Sequence, residues 1–102
     1  MHGLIVKISA APGQRDALIA LLREGTSEMP GCLSYIVAKD SAGENAIWIT
    51  EVWDSAASHN ASLSSPAVKN TIAKAKPLIS AFDQVAVTTP VGGHGLPSAQ
   101  AR

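Results

Sequence analysis

A carboxylate, an indole and an imidazole lie close together in the segment from Glu51 to His59. Glu51 and Trp53 are separated by one residue, so on a strand their side chains project from the same face. His59 follows on a segment that reads as a helix. An imidazole titrates near neutral pH and is the natural general base of the three, while an indole can stack on an aromatic ring. The segment therefore predicts proton abstraction from an aromatic compound, with His59 as the catalytic base and Trp53 and Glu51 binding the substrate.

Three further side chains complete the predicted site. Tyr35 can donate a hydrogen bond to a developing oxyanion, and Asn60 or Ser62 can orient oxygen atoms. Structural alternatives stay open for the principal residues: a surface or capping role for His59, packing in the core or a dimer for Trp53, and an ion pair or cap for Glu51.

Composition limits the partners that this site can serve. The 102 residues suffice for one domain, and their eight basic and eight acidic side chains cancel without forming a run of one sign. No nucleic acid or membrane partner is therefore expected. The single cysteine, Cys32, cannot form an internal disulfide, and Lys7 interrupts the only apolar run near the start, so a cytoplasmic protein without a signal peptide is expected.

Cofactor and metal patterns are also missing from the sequence. His2, His59 and His94 are far apart and have no spaced acidic or cysteine partner, so no metal site is predicted. Neither a GxGxxG nor a P-loop pattern occurs, which disfavours a nucleotide cofactor. We therefore expect a site that uses no cofactor.

The elements that must position the site alternate between strands and helices. β-branched residues predict a first strand over 4–9, and apolar residues at helical spacing predict a helix over 14–28, ended by Pro30-Gly31. Strands over 32–39 and 46–53 flank a polar turn and predict a hairpin.

A second helical region follows the hairpin, with Asp54 or Ser55 as its N-cap. Ser65-Pro66 signals a new helix start, so we expect a break near Ser64 and a second piece that runs to Pro77. A fourth strand is predicted over 82–89. Residues 1–89 then form the domain, and the Gly- and Pro-rich residues 90–102 form a flexible or partner-ordered tail.

This order of elements is the split βαβ pattern of a ferredoxin-like α+β fold, an antiparallel sheet with helices on one face. In the third strand both faces are substantially apolar, since Ile47 and Ile49 alternate with Trp48 and Val52. Helices cover only one face. A second copy of the same sheet is the simplest cover for the other, so we predict a homodimer with its sheets packed face to face.

Several short patterns occur in a characteristic order along the chain. They are Pro30-Gly31-Cys32-Leu33-Ser34-Tyr35, Glu51-Val52-Trp53-Asp54-Ser55, His59 with Ala61-Ser62-Leu63, Val68, and Pro77-Leu78-Ile79. Together they resemble the antibiotic biosynthesis monooxygenase (ABM) superfamily, including its small quinol monooxygenase-like proteins, over residues 1–89. The resemblance implies a dimeric α/β barrel of ferredoxin-like subunits and, as in several members, cofactor-independent oxygenation of phenolic or quinol-like compounds by dioxygen.

The sequence departs from one form of that family pattern. There, a histidine follows the strand glutamate by eleven residues, a position that holds Ser62 in this chain. His59 comes three residues earlier, which shifts the imidazole by about 4.5 Å along a helix axis. Relatives that degrade haem also use an asparagine on the first strand, and residues 4–9 contain none.

The functional hypothesis that follows is a cofactor-independent monooxygenase for a small aromatic quinol, catechol or anthrone-like substrate. The alternative is a non-catalytic small-molecule binding or interaction module on the same dimeric barrel, and haem breakdown is the less favoured third possibility.

Overall fold

The computed structural model describes residues 1–97 of the chain. Its strands are β1 (His2–Ala10), β2 (Cys32–Lys39), β3 (Ala46–Trp53) and β4 (Ile79–Thr88). Its helices are α1 (Arg15–Gly25), α2 (Ala56–Ser62) and α3 (Pro66–Ala75), and a 3₁₀ turn, Lys76–Leu78, joins α3 to β4.

The four strands form one antiparallel sheet in the order β2-β3-β1-β4. α1 packs against α3, and both lie against the sheet through their apolar residues. This is the ferredoxin-like α+β arrangement that the sequence predicts. The hairpin strands β2 and β3 have the predicted bounds, and the helical region is broken between Ser62 and Pro66 as expected.

Two element boundaries differ from the predicted ones by three residues, and the others by two residues or fewer. α1 ends at Gly25 rather than at residue 28, because glycine is a poor helix former and the Thr26 hydroxyl donates to the Leu22 carbonyl oxygen at 2.6 Å, occupying an acceptor of the last turn. β4 begins at Ile79 rather than at residue 82, because the 3₁₀ turn around Pro77 delivers the chain directly to the edge of the sheet.

The core lies between the helices and one face of the sheet. Alternate residues of β1 and β3 point into it, and the α1 stripe that covers them includes Leu18 and Leu22. The largest fully buried side chains are Trp53, Leu18 and Ile47. Trp53 thus closes one end of the core, immediately before the chain enters α2.

The opposite face of the sheet carries Trp48 and, on the neighbouring strand β2, Ile36, which is 55% exposed. The Trp48 indole N–H donates to Asp40 Oδ1 at 2.6 Å, and Lys7 Nζ lies 5.4 Å from the centre of the Trp48 ring. Asp40 Oδ2 also accepts the amides of Ala42 and Gly43 in the β2–β3 turn. The Trp48 bond, followed by these backbone bonds, lowers the pKa of Asp40 to about 2.

Beyond β4 the described chain, Pro90 to Pro97, forms neither helix nor strand. Residues 98–102, which belong to the predicted tail, lie outside the described residues. Within residues 1–97, no helix has the length and apolar character needed to cross a membrane.

Candidate functional site

A cavity of about 490 Å³ lies between the sheet and the helices. Its walls are mostly aliphatic, including Val6 and Ile8 of β1, Leu22 of α1, Ile49 of β3, Leu63 after α2, and Val68 and Ile72 of α3. Ile79 and Phe82 of β4 line it as well. The volume and the apolar walls suit one small, largely hydrophobic molecule.

Four of the predicted site residues line this cavity: Tyr35, Glu51, His59 and Ser62. Tyr35 and Glu51 are direct partners in the β2–β3 register, so their side chains project side by side into the same space. His59 and Ser62 are one helical turn apart on α2 and share a face of it. Strand pairing and helix periodicity thus bring the four groups together.

The turn between β3 and α2 sets the direction from which His59 enters. The Ser55 hydroxyl caps α2 by accepting the amide of Ser58 at 3.1 Å. The amide of Asp54 donates to the carbonyl oxygen of Gly31 at 2.9 Å, which ties the turn to the segment before β2. Gly31 has a φ of +85°, and a Cβ there would lie 2.5 Å from that of Ser58, so only glycine fits this close approach.

Glu51 and His59 meet at the wall of the cavity. Their side chains are 12% and 20% exposed, and Glu51 Oε1 lies 3.9 Å from His59 Nε2. That separation is longer than a hydrogen bond but close enough for the carboxylate to attract the imidazolium. The carboxylate can therefore stabilise a proton on His59 without being bonded to it.

Trp53 holds this carboxylate in place. Its indole N–H donates to Glu51 Oε1 at 2.9 Å, and its ring meets the edge of the His59 ring with 5.3 Å between centres. Trp53 is 1% exposed and is not among the residues that line the cavity. The predicted stacking of Trp53 on a substrate therefore does not match its placement: burial behind Glu51 makes it a support for the carboxylate.

Tyr35 contributes a neutral hydroxyl. Burial, followed by the nearby carboxylate of Glu51, raises the pKa of the Tyr35 phenol well above its ordinary value. The hydroxyl stays protonated and remains a hydrogen-bond donor at neutral pH. Burial also raises the pKa of the Cys32 thiol, which is half-buried at the start of β2 and keeps its proton.

The remaining two predicted residues behave differently from each other. The Ser62 hydroxyl donates to the carbonyl oxygen of His59 at 2.6 Å, so its proton is already used while its lone pairs stay free. The Asn60 side chain is exposed and does not line the cavity. Successive residues of a helix turn by about 100°, which carries Asn60 away from the wall that His59 forms.

His2 is a neighbour of the site that sequence patterns missed. It is paired with Trp53 in the β1–β3 register, and its ring centre lies 5.9 Å from that of His59. Alternation along β1 placed His2 on the same face as Leu4 and Val6, which was an available signal, but only the strand pairing shows the proximity to α2.

The described residues include no group of three or more His, Cys, Asp or Glu side chains that could hold a metal ion. What the cavity offers is an imidazole beside a carboxylate, one phenolic donor and largely apolar walls. This set can bind a small aromatic molecule and move a proton to and from it.

Comparison with known proteins places this architecture in a family. The sequence model described as antibiotic biosynthesis monooxygenase matches residues 1–74. The chain is 62% identical to a candidate antibiotic biosynthesis monooxygenase of Chloroflexus aurantiacus, with a TM-score of 0.90, over 94% of this chain and 98% of that one.

More distant structures share the fold. A candidate antibiotic biosynthesis monooxygenase of Deinococcus radiodurans is 26% identical, with a TM-score of 0.73 over 92% of this chain and 94% of that chain. One from Nitrosomonas europaea is 12% identical, with a TM-score of 0.79 over 90% of this chain and all of that chain, a likeness of fold alone. No curated protein gives a significant sequence match. The family match over most of the chain, and the close relative from Chloroflexus, show that this chain belongs to the antibiotic biosynthesis monooxygenase family.

Proposed function

We propose that this protein is a cofactor-independent monooxygenase that oxidises a small aromatic quinol, catechol or anthrone-like compound with dioxygen. The observation that carries the proposal is the cavity of about 490 Å³ in which an imidazole, a carboxylate and a phenol meet at one otherwise apolar wall. Family membership supports the same reaction class.

The chemistry requires little more than a base and an enclosed site. Dioxygen in its triplet ground state reacts slowly with neutral organic molecules, but an electron-rich carbanion or phenolate can supply the electrons itself. For an anthrone-like methylene, CH₂ and O₂ give C=O and H₂O. One oxygen atom enters the product, the other leaves as water with the two hydrogens of the methylene, and four electrons pass from carbon to oxygen.

The residue roles follow from their positions. His59 takes the first proton, and Glu51 stabilises the resulting imidazolium from 3.9 Å. Tyr35 donates to the oxyanion of the deprotonated substrate, since its phenol stays neutral. The aliphatic walls hold the aromatic ring against these groups and lower the polarity around them, which strengthens both interactions.

A non-catalytic binding module is the second candidate, and one observation favours it. The residue eleven positions after Glu51 is Ser62, whose hydroxyl proton is bound to the backbone, and His59 is not hydrogen-bonded to Glu51. In this case the cavity binds an aromatic molecule without catalysing its oxidation.

Oxygen uptake separates these candidates. We expect uptake with at least one member of a panel of quinols, catechols and anthrones, from protein dialysed against a chelator. With ¹⁸O₂, one labelled atom should enter the product. His59→Ala should lower kcat by about a hundredfold or more, the usual contribution of a general base. His94→Ala, which removes an exposed histidine outside the cavity, is the matched control and should keep full activity. If compounds of the panel bind but none of them supports oxygen uptake, the result would favour the non-catalytic binding module.

A homodimer belongs to the same proposal. The face of the sheet that carries Ile36 and Trp48 is left uncovered by the helices, and a second copy supplies a matching apolar surface. Light scattering at micromolar concentration should give twice the mass of the chain, and Ile36→Glu should halve it. A monomeric mass for the wild-type protein would contradict the dimer.

A further inference from the structure

Two imidazoles lie next to each other at the back of the candidate site. His2 and His59 come from β1 and α2, and their ring centres are 5.9 Å apart with an angle of 34° between the ring planes. Trp53 anchors both, since it is paired with His2 across the sheet and packs against the ring of His59. The register of the central strands therefore brings the two histidines close together.

The two histidines differ in their access to the cavity. His59 lines the cavity, whereas His2 is half-buried and does not line it. A substrate in the cavity can therefore exchange a proton with His59 but not with His2. With ring centres 5.9 Å apart, the two imidazoles are close enough to exchange a proton, directly or through water.

We propose that His2 is a positioning residue that receives the substrate's proton from His59 and holds it while dioxygen reacts. This inference rests on the proposed monooxygenase function. After the first deprotonation, a cationic His59 faces the substrate anion and can return the proton before the slow reaction with dioxygen. Passing the proton to His2 removes the acid from the anion and prevents that return.

The proton balance closes over the cycle. The first substrate proton moves to His59 and then to His2, and the substrate anion adds dioxygen to form a peroxide anion. The stored proton returns through His59 to the peroxide, which leaves His59 neutral again. His59 then removes the second hydrogen of the same carbon as a proton, the O–O bond breaks, and hydroxide takes that proton from His59 to leave as water.

Two charged side chains, Glu51 and Lys76, line the cavity together with His59. The closest carboxylate, Glu51, lies 3.9 Å from His59 Nε2 and already accepts the Trp53 indole N–H. Tyr35 and Cys32, on β2, are neutral because burial raises the pKa of each. Because Glu51 is not hydrogen-bonded to the His59 ring, a proton on that ring can pass to a second imidazole.

The test uses anthrone as the probe, in D₂O under air, and measures both oxygen uptake and the deuterium gained by unreacted anthrone. The wild-type protein should return little deuterated anthrone per turnover. His2→Gln should lower kcat about tenfold with KM unchanged, and should raise the ratio of deuterium exchange to oxygenation by a similar factor. A purely structural defect would lower exchange and oxygenation together.

Two further variants make the result decisive. His2→Ala opens space beside His59, so added imidazole should restore most of the lost kcat, while His94→Gln should change neither rate nor ratio. An unchanged ratio in His2→Gln, or no rescue of His2→Ala in a protein that circular dichroism shows to be folded, would overturn the role of His2 alone. Absence of oxygen uptake by the wild-type protein would overturn the proposed function and this role with it.

Discussion

Replacing Trp53 by phenylalanine tests whether the buried indole holds the Glu51 carboxylate in place. The substitution keeps an aromatic ring in the core but removes the N–H that donates to Glu51 Oε1 at 2.9 Å. A hydrogen bond to a charged partner contributes about 1.5–3 kcal/mol, and more is lost when the partner stays buried. Glu51 is 12% exposed, so water cannot fully replace the indole.

Packing adds to that loss because Trp53 is 1% exposed and the smaller ring leaves part of its space empty. We assign about 1–2 kcal/mol to the missing ring atoms, a fraction of the cost of truncating a buried tryptophan to alanine. The free energy of unfolding of Trp53→Phe should therefore fall by about 2.5–5 kcal/mol in total. This is a large share of the stability of a small domain.

The chain contains a matched control for this substitution. Trp48 also donates its indole N–H to a carboxylate, that of Asp40, but it is only half-buried and lies away from the cavity. Trp48→Phe should cost clearly less, since Asp40 keeps its two backbone donors and faces water.

Denaturant unfolding followed by circular dichroism, at one fixed protein concentration because dimerisation would shift the midpoint, measures both losses. Equal losses in the two variants, or a loss below about 1 kcal/mol for Trp53→Phe, would refute the supporting role of the buried indole.

Two further predictions concern the turns that frame the site. Gly31→Ala should destabilise the protein more than Gly13→Ala. Both glycines have positive φ, but an added Cβ would meet Ser58 at Gly31 and open space at Gly13. Equal unfolding midpoints for the two variants would show that the turn before β2 can shift to accommodate the methyl group. Asp40 has a pKa lowered to about 2, so the stability it contributes is complete above the unfolded-state value near 4 and is lost as pH falls from about 4 to about 2. The difference in unfolding free energy between wild type and Asp40→Asn should shrink across that range, and a constant difference down to pH 2 would contradict the assignment.

Residue patterns predicted the central hairpin well because each of its limits is marked by strong local chemistry. Pro30-Gly31 precedes β2, the Asp40 turn separates β2 from β3, and the β-branched and aromatic residues between them favour strands. The end of α1 was harder to predict. There, a hydrogen bond from Thr26 to the backbone and the glycine before it decide the boundary, while the apolar spacing continues to Met29.

Four of the six predicted site residues line the cavity, but the placement of Trp53 and the neighbour His2 could not be predicted. Alternation placed Glu51 and Trp53 on one face, and the structure agrees, yet only tertiary packing shows that Trp53 lies behind Glu51 rather than beside a substrate. The neighbour His2 could not be predicted from spacing, since its contact with His59 arises from the pairing of β1 with β3. Contacts between distant segments of this kind leave no periodic signal in a sequence.

The break between Ser62 and Pro66 makes α2 a separate short helix, whose stability differs from that of the elements around it. A seven-residue helix is far below the length at which helices persist in water, so α2 depends on its serine cap and on its packing against β3. Its amides should open in local fluctuations at lower free energy than those of β1 and β3, and they should exchange with solvent deuterium sooner. His59 thus lies on an easily opened segment, and a molecule bound in the cavity should slow hydrogen exchange in α2 before any product is detected.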